Sequence, residues 1–169
     1  MKYNFTLRPW TTADLNSLVT FADNTEIAKF MTDQFPHPYT SENGKAFIAA
    51  ASKGSPLHIF AIDINGQAAG GIGIHPQTDI HRKNAELGYW LAEPFWGHGI
   101  ITKAVLQIVD YGFKNFEINR IFARPFGTNK ASQRVLEKAG FKLEARFEKS
   151  LFKNGEYIDE LVYAVRRKQ

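Results

Sequence analysis

The sequence has no cysteine among its 169 residues. That absence excludes disulfides, thiolate metal ligands and covalent catalysis through a thioester on the chain. It also fits a reducing compartment, and we expect a cytoplasmic protein. No apolar run is long enough to span a membrane, and residues 1–10 lack the apolar core of a secretion signal. We therefore expect no membrane partner.

Motifs for nucleotides and metals are also missing. Thr102 stands where a dinucleotide fingerprint beginning at Gly97 would need a glycine, and no Walker lysine motif or Gly-x-Ser-x-Gly elbow occurs. The net charge of +4 is mild and fits an anionic cofactor, a nucleic-acid surface or solubility alone. Without an RNA-binding aromatic signature, we expect no stable nucleic-acid binding. We expect no metal site, because metal-ligand spacing is absent from the histidines His37, His58, His75, His81 and His98.

The composition and the apolar spacing predict one α/β (α+β) domain over residues 1–169. A hydrophobic fraction of 44% is enough for a packed core in a chain of this length. The order is strand, helices, hairpin, strand, helix, strand, helix, hairpin, with Asn65-Gly66 and Asn154-Gly155 as hairpin turns. A crossover joins the strand at Glu86 to the strand at Arg120, so the sheet is mixed with antiparallel ends.

The stretch from Glu86 to Ala104 carries the strongest chemical signal. An apolar strand is followed by Gly97 and Gly99, and an apolar helix begins at about Ile100. Such a junction leaves several backbone N–H groups pointing the same way at the positive end of a helix dipole. Phosphate groups commonly bind there.

Five segments together resemble the GNAT superfamily of N-acetyltransferases, and within it the RimJ/RimL-like branch, whose founding members acetylate ribosomal-protein amino termini. They run along almost the whole chain: LRPWTTADL, ELGYWL, FWGHGIITKA, NKASQRVLEKAGF and NGEYIDELVYA. The resemblance implies a central, mixed, mostly antiparallel twisted sheet of six to seven strands with about four helices. It also implies a splayed strand pair that holds the cofactor.

The cosubstrate implied by the resemblance is acetyl-CoA, without a metal. Gly99 takes a glycine position of the family's pyrophosphate loop, whereas Ile101 replaces its small final residue and Trp96 its leading polar one. The loop binds through backbone amides, so both departures leave it possible. The implied cofactor residues are Trp90, Leu91, Trp96, Gly97, His98, Gly99, Ile100, Ile101, Thr102, Asn129 and Ser132. Asn129 is also a good helix N-cap, and the two roles can coexist.

The expected catalytic residues are Glu86 and Ser132. Glu86 could take the amine proton through a water, or it could only pair with an arginine or lysine at the end of the sheet. Ser132 could replace the tyrosine acid that many family members place where this chain has Leu136, or it could be a tolerated polar residue.

The expected acceptor is a protein or peptide N-terminal α-amino group. The alternatives are a small amine, such as an amino sugar, a polyamine or an antibiotic, and a catalytically silent CoA-binding module. We expect a monomer or a homodimer, and an exposed aromatic loop over residues 34–39. The expected substrate-binding residues are Phe35, His37, Tyr39, Glu86, Tyr157 and Asp159.

Overall fold

A computed structural model describes residues 3–167. These residues fall into two compact units. The first comes from residues 3–73 and 89–104, and the second from residues 74–88 and 105–167. The single domain expected from the sequence stays a prediction.

The described residues contain seven strands and five helices, one of which is a single turn. The strands are β1 (Thr6–Arg8), β2 (Ile59–Ile64), β3 (Gln67–Pro76), β4 (Asn84–Leu91), β5 (Arg120–Ala123), β6 (Lys142–Lys153) and β7 (Glu156–Arg166). The helices are α1 (Leu15–Ala22), α2 (Thr25–Ala28), α3 (Ser41–Ala51), α4 (Ile100–Asn115) and α5 (Lys130–Lys138).

The strands form one sheet in the order β1-β2-β3-β4-β5-β7-β6. The β4–β5 pair is parallel, as a connection through a helix requires, and it joins Asn84–Glu86 to Arg120–Phe122. The pairs β1–β2, β2–β3, β5–β7 and β6–β7 are antiparallel. Both Asn-Gly turns have positive φ at both central residues, which two-residue hairpins favour. The predicted mixed, mostly antiparallel α/β sheet is therefore confirmed.

In the first unit, local sequence signals set where the helices begin. A capping box joins Thr11 and Asp14, and α1 starts at Leu15 after a 3-10 turn. Helix α2 begins at Thr25, because the Asn24 side chain accepts from the N–H groups of Glu26 and Ile27. Helix α3 packs closely on α1, since a Cβ on Gly44 would lie 2.7 Å from Leu15 Cδ1.

A charged network joins the first two strands to the start of α1. The Arg8 guanidinium donates to both oxygens of Asp14 at 2.7 and 2.8 Å, and its Nε donates to Asp63 on β2 at 2.7 Å. The hydrogen bond from Arg8 lowers the pKa of Asp14, while burial opposes the shift. This carboxylate is 6% exposed, and the network stabilises it as a buried charge.

In the second unit, two helices pack on the sheet through their small or apolar positions. A Cβ on Gly112 of α4 would lie 2.5 Å from Ile74 and 3.2 Å from Ile121, so only glycine permits this approach. Helix α5 buries Gln133 and Leu136, whereas Ala131 on its first turn is exposed. Gln133 is buried because its amide donates to two carbonyl oxygens of the loop before the helix.

Candidate functional site

The connection between β4 and α4 contains two glycines in left-handed backbone conformations. Gly97 has a φ of +77° and Gly99 a φ of +74°. A side chain is strained at such angles, and a β-branched one most of all. A Cβ added at either position would meet no atom within 4 Å. The backbone conformation therefore requires these glycines, and both stand beside open space.

The start of α4 has backbone donors that the helix itself cannot satisfy. The first N–H groups of a helix lack intrahelical acceptors, and the preceding side chain often accepts from them. Gly99 has no side chain, so the N–H groups of residues 100–102 have no acceptor within the helix. By contrast, Asn24, Thr40 and Asn129 cap α2, α3 and α5 with their side chains. The start of α4 is thus suited to an anion.

Aromatic side chains support this glycine turn from within the first unit. The Trp96 indole Nε1 donates to Leu91 O at 2.7 Å, which fixes the turn against the end of β4. The Phe95 ring packs edge-on against Tyr3 at 5.3 Å, and the His98 ring lies 5.0 Å from the same tyrosine. The conformation of the turn is therefore held by packing on both sides of its first glycine.

Trp90 and Leu91 are part of the packed interior of the first unit. They are 8% and 5% exposed. Strand β3 approaches them closely through Gly70 and Gly71, where an added Cβ would lie 2.5 Å from Trp90 O and 2.8 Å from Trp90 Nε1. Any cofactor contact at these two residues would have to use backbone atoms, because their side chains are occupied by packing.

In the second unit, Asn129 caps α5 as the sequence predicted. Its Oδ1 accepts from Ser132 N at 3.0 Å. No described residue accepts a hydrogen bond from its Nδ2, so the cap leaves a polar donor available. Ser132 is half-buried on the first turn, and Leu136 is fully buried. The position of the family's tyrosine acid is therefore closed to solvent.

Glu86 forms a bidentate ion pair within the second unit. Arg124, which follows β5, donates from Nε and Nη2 to the two carboxylate oxygens at 2.9 and 3.0 Å. The hydrogen bond to Glu86 raises the pKa of Arg124, although burial opposes it. The third guanidinium nitrogen of Arg124, Nη1, lies 3.6 Å from the Glu160 carboxylate on β7. The pairing expected as the alternative role of Glu86 is thus present, and the carboxylate is held in one orientation.

The loop over residues 34–39 is irregular, as its two prolines predicted, but it is not exposed throughout. Tyr39 is 6% exposed, and burial raises its pKa to about 12. The expectation of an exposed loop is wrong for Tyr39, because its ring packs with Phe35 at 5.3 Å. His37 stays exposed, with Nδ1 3.2 Å from Asp23 and Nε2 3.1 Å from Thr25. Asp23 also accepts from Tyr39 N, so it fastens the loop.

Two residues of the last hairpin, Tyr157 and Asp159, are expected to bind the substrate, and they differ in how far their side chains are already engaged by other residues. Tyr157 is 69% exposed and lies against Phe152 at 5.0 Å. Asp159 has partners on both carboxylate oxygens, Lys149 N at 2.9 Å and Arg146 Nε at 2.8 Å. These two hydrogen bonds lower the pKa of Asp159. The carboxylate thereby stabilises a bulge in β6, where Lys149 has a positive φ.

Within residues 3–167, no helix combines the length and apolarity that crossing a membrane requires. In the same part of the chain, no three metal-ligating side chains are grouped as a metal site would need.

A comparison with known protein families identifies the family of this chain. Residues 4–142 match the acetyltransferase (GNAT) domain. The chain belongs to the GNAT family. It is 34% identical over 105 residues to YdaF of Bacillus subtilis, whose name assigns it to the ribosomal N-acetyltransferases. It is also 34% identical over 82 residues to the ribosomal-protein-serine acetyltransferase of Escherichia coli.

These two alignments cover 62% and 48% of this GNAT chain, and 57% and 46% of the relatives, so the chain spans about half the length of each. The solved structure of RimJ from Mycobacterium smegmatis in complex with CoA-disulfide is similar along the chain. Its TM-score is 0.80 at 25% identity, with 96% of this chain and 81% of RimJ covered. The resemblance to the RimJ/RimL-like branch of the GNAT family is confirmed.

Sequence reasoning missed two residues of the second unit, Arg124 and Glu160. The contact of Arg124 with Glu86 depends on the register of β4 and β5, which pairs Glu86 with Phe122, two positions before Arg124. The closeness of Glu160 to Arg124 depends in the same way on the register of β7, so the sequence alone indicated neither residue.

Proposed function

We propose that this chain is an acetyl-CoA-dependent N-acetyltransferase that acts on protein or peptide N-terminal α-amino groups. The observation that carries the proposal is the start of α4, where two left-handed glycines lead into the helix and the preceding residue, Gly99, has no side chain to cap it, inside a GNAT domain. RimJ, which is similar in fold, is solved with a CoA derivative.

In this proposal the pyrophosphate of acetyl-CoA binds the N–H groups of residues 100–102. The group fits, because Gly97 and Gly99 leave open space beside the backbone and Gly99 offers no competing acceptor. The Asn129 Nδ2, which no described residue uses, would donate to a carbonyl of the pantetheine arm. The remaining expected cofactor contacts stay predictions.

Bound acetyl-CoA supplies an activated thioester, whose carbonyl carbon is attacked by the acceptor amine as the carbon–sulfur bond breaks. The attacking amine must lose a proton, and Glu86 would accept it through a water. Arg124 holds this carboxylate by two hydrogen bonds, and each oxygen keeps a lone pair for the water. Ser132 would hold a water near the leaving thiolate, since Leu136 offers no acid.

The basicity of the acceptor favours an α-amino group. Its reference pKa is about 7.7–8.0, against about 10.4 for lysine, so freeing the amine at pH 7 costs about 1 kcal/mol for the first and about 4–5 kcal/mol for the second. A site with one candidate base and no tyrosine acid suits the easier amine. The names of YdaF and of the Escherichia coli relative, which refer to ribosomal proteins, point to the same class.

An acceptor panel with acetyl-CoA tests the proposal. It contains peptides with a free N-terminus, N-terminally blocked lysine peptides, and small amines such as amino sugars and polyamines, all at equal concentration. We expect fastest turnover on the free N-terminus. Fastest turnover on the blocked lysine peptide or a small amine would contradict the acceptor class, and acetyl-CoA binding without turnover would indicate a silent module. Cytoplasmic location and a monomeric or homodimeric state stay predictions.

A further inference from the structure

The loop between β5 and α5 carries two residues that matter for the proposed reaction. It covers residues 124–129 and begins at Arg124, which holds Glu86 by two hydrogen bonds. It ends at Asn129, which caps α5. Connecting loops are more mobile than the elements they join, because fewer contacts restrain them. The orientation of Arg124 therefore depends on what fixes this loop.

Strand β7 holds the first half of the loop through the backbone. Leu161 N donates to Pro125 O at 3.1 Å. Two positions along the loop, Gly127 N donates to Asp159 O at 2.8 Å. A Cβ on Gly127 would lie 2.9 Å from Asp159 Cβ, so a larger residue would push the loop away from the strand. The loop thus lies directly against β7.

Gln133, on the first turn of α5, holds the same loop through a side chain. Its Nε2 donates to Phe126 O at 3.2 Å and to Gly127 O at 3.0 Å. Phe126 O also accepts from Asn129 N, whereas among residues 3–167 Gly127 O has this amide as its only donor. Gln133 is 8% exposed, so its loss would leave a carbonyl oxygen without a partner in a largely buried place.

Helix α5 does not need this amide for its own hydrogen bonds. Its start is capped by Asn129, whose Oδ1 accepts from Ser132 N, and its end by the backbone N–H of Ala139. Leu136, one turn further on, is fully buried and packs the helix on the sheet. Burial alone would favour an apolar side chain at position 133 as well. The amide therefore acts on the loop and not on the helix.

We infer that Gln133 is a positioning residue, whose amide holds the loop so that the Arg124 guanidinium keeps Glu86 in one orientation. This inference rests on the proposed function, in which Glu86 accepts the amine proton. Gln133 itself takes no part in the chemistry and acts through Arg124. Its effect can still be large, since a misplacement of about 1 Å caused by a residue far from the chemistry can lower a rate about 10²-fold.

The test is Gln133→Met, which keeps the length of the side chain but removes the amide. With acetyl-CoA and a peptide with a free N-terminus, we expect kcat to fall about ten- to hundredfold. The KM for acetyl-CoA should change little, because Asn129 is held by α5 itself. Gln107→Met is the matched control, since Gln107 is an exposed glutamine of α4, and it should leave both constants unchanged. A kcat for Gln133→Met equal to that of the control would overturn the inference.

A double-mutant cycle distinguishes positioning from a general loss of stability. Arg124→Lys already removes the bidentate pair with Glu86. In that background Gln133→Met should lower kcat by less than about twofold, because residues that act through one another are not additive. If the two losses multiply instead, Gln133 does not act through Arg124 and the inference is wrong.

An NMR measurement separates this inference from the proposed function, because it needs no turnover. The Arg124 Nε–H donates to Glu86 at 2.9 Å, so its signal should exchange slowly with solvent in the wild-type protein. Exchange should be faster in Gln133→Met, while the backbone amides of α5 keep their protection. If this variant fails to fold, Gln133→Glu serves instead, since it has the same shape and its ionised carboxylate has no donor. An unchanged Arg124 signal in the folded variant would contradict the inference, whereas a wild-type protein without turnover would contradict only the proposed function.

Discussion

The glycine turn of the first unit and the Glu86–Arg124 pair of the second unit present different kinds of polar group, backbone in the first case and side chain in the second. The turn offers backbone N–H groups, and its shape depends on the left-handed conformations of Gly97 and Gly99. The pair offers side-chain atoms, held by two hydrogen bonds. Binding at a backbone site should tolerate a change of side chain but not a change of backbone conformation. The activity of a side-chain site should fall when a single side-chain atom is replaced, as when an amide replaces a carboxylate.

The largest expected effect is on the side-chain site. Glu86→Gln keeps the shape of the residue but removes the base, so kcat should fall about 10²–10⁴-fold, with little change in the KM for acetyl-CoA. Steady-state kinetics measures both constants. Glu117→Gln is the control, because Glu117 is an exposed residue of the same unit. A loss well below about tenfold would reduce Glu86 to its structural pairing with Arg124.

The next effect concerns the backbone of the turn. Gly99→Val places a β-branched residue at a φ of +74°, which costs about 1–3 kcal/mol of strain or forces the turn to change. We expect acetyl-CoA affinity to fall at least about tenfold, or about 1.4 kcal/mol, in titration calorimetry. Gly99→Asn is the control, since asparagine tolerates this conformation, and its loss should be smaller. Unchanged affinity in the valine variant would show that the pyrophosphate binds elsewhere.

A smaller effect separates the two roles of Asn129. Asn129→Ala removes the cap of α5 and should lower the free energy of unfolding by about 1 kcal/mol in chemical denaturation. Asn129→Asp keeps an oxygen for the Ser132 amide but loses the Nδ2 donor. The aspartate variant should therefore keep its stability and lose acetyl-CoA affinity. If it loses neither, Asn129 is a cap alone.

The smallest expected effect returns to the backbone site. His98 lies between the two glycines and its ring packs against Tyr3, so we expect it to contact acetyl-CoA through its backbone and not through its ring. His98→Ala should change acetyl-CoA affinity by less than about twofold, or about 0.4 kcal/mol, in the same calorimetric titration. Trp96→Ala is the companion variant, because its indole fixes the turn to Leu91 O, and it should have the larger effect. A strong loss in His98→Ala would mean that the turn also binds through a side chain.

Much of the fold could be read from the sequence, because its signals are local. An Asn-Gly pair between apolar runs specifies a tight hairpin wherever it occurs, and both such turns are found. The caps at Thr11 and Asn129 and the helix after Gly99 are likewise set by neighbours within a few residues. Short-range patterns failed where tertiary packing outweighed them, as at Tyr39, whose loop composition suggested exposure.

The sequence by itself determined the hairpins, the helix starts and the GNAT motifs, since each depends on backbone geometry within a few positions. Only the tertiary structure decided which carboxylates receive hydrogen bonds from other residues. Glu86 pairs with Arg124, which lies 38 positions later in the chain. Asp159 accepts hydrogen bonds from Arg146 and from the backbone of Lys149 at the bulge in β6. Within residues 3–167, the same registers bring no hydrogen-bond donor to the Glu160 carboxylate, whose nearest cation is Arg124 at 3.6 Å. Hydrogen bonds fall off steeply with distance and angle, so their partners are fixed only when the strands pair.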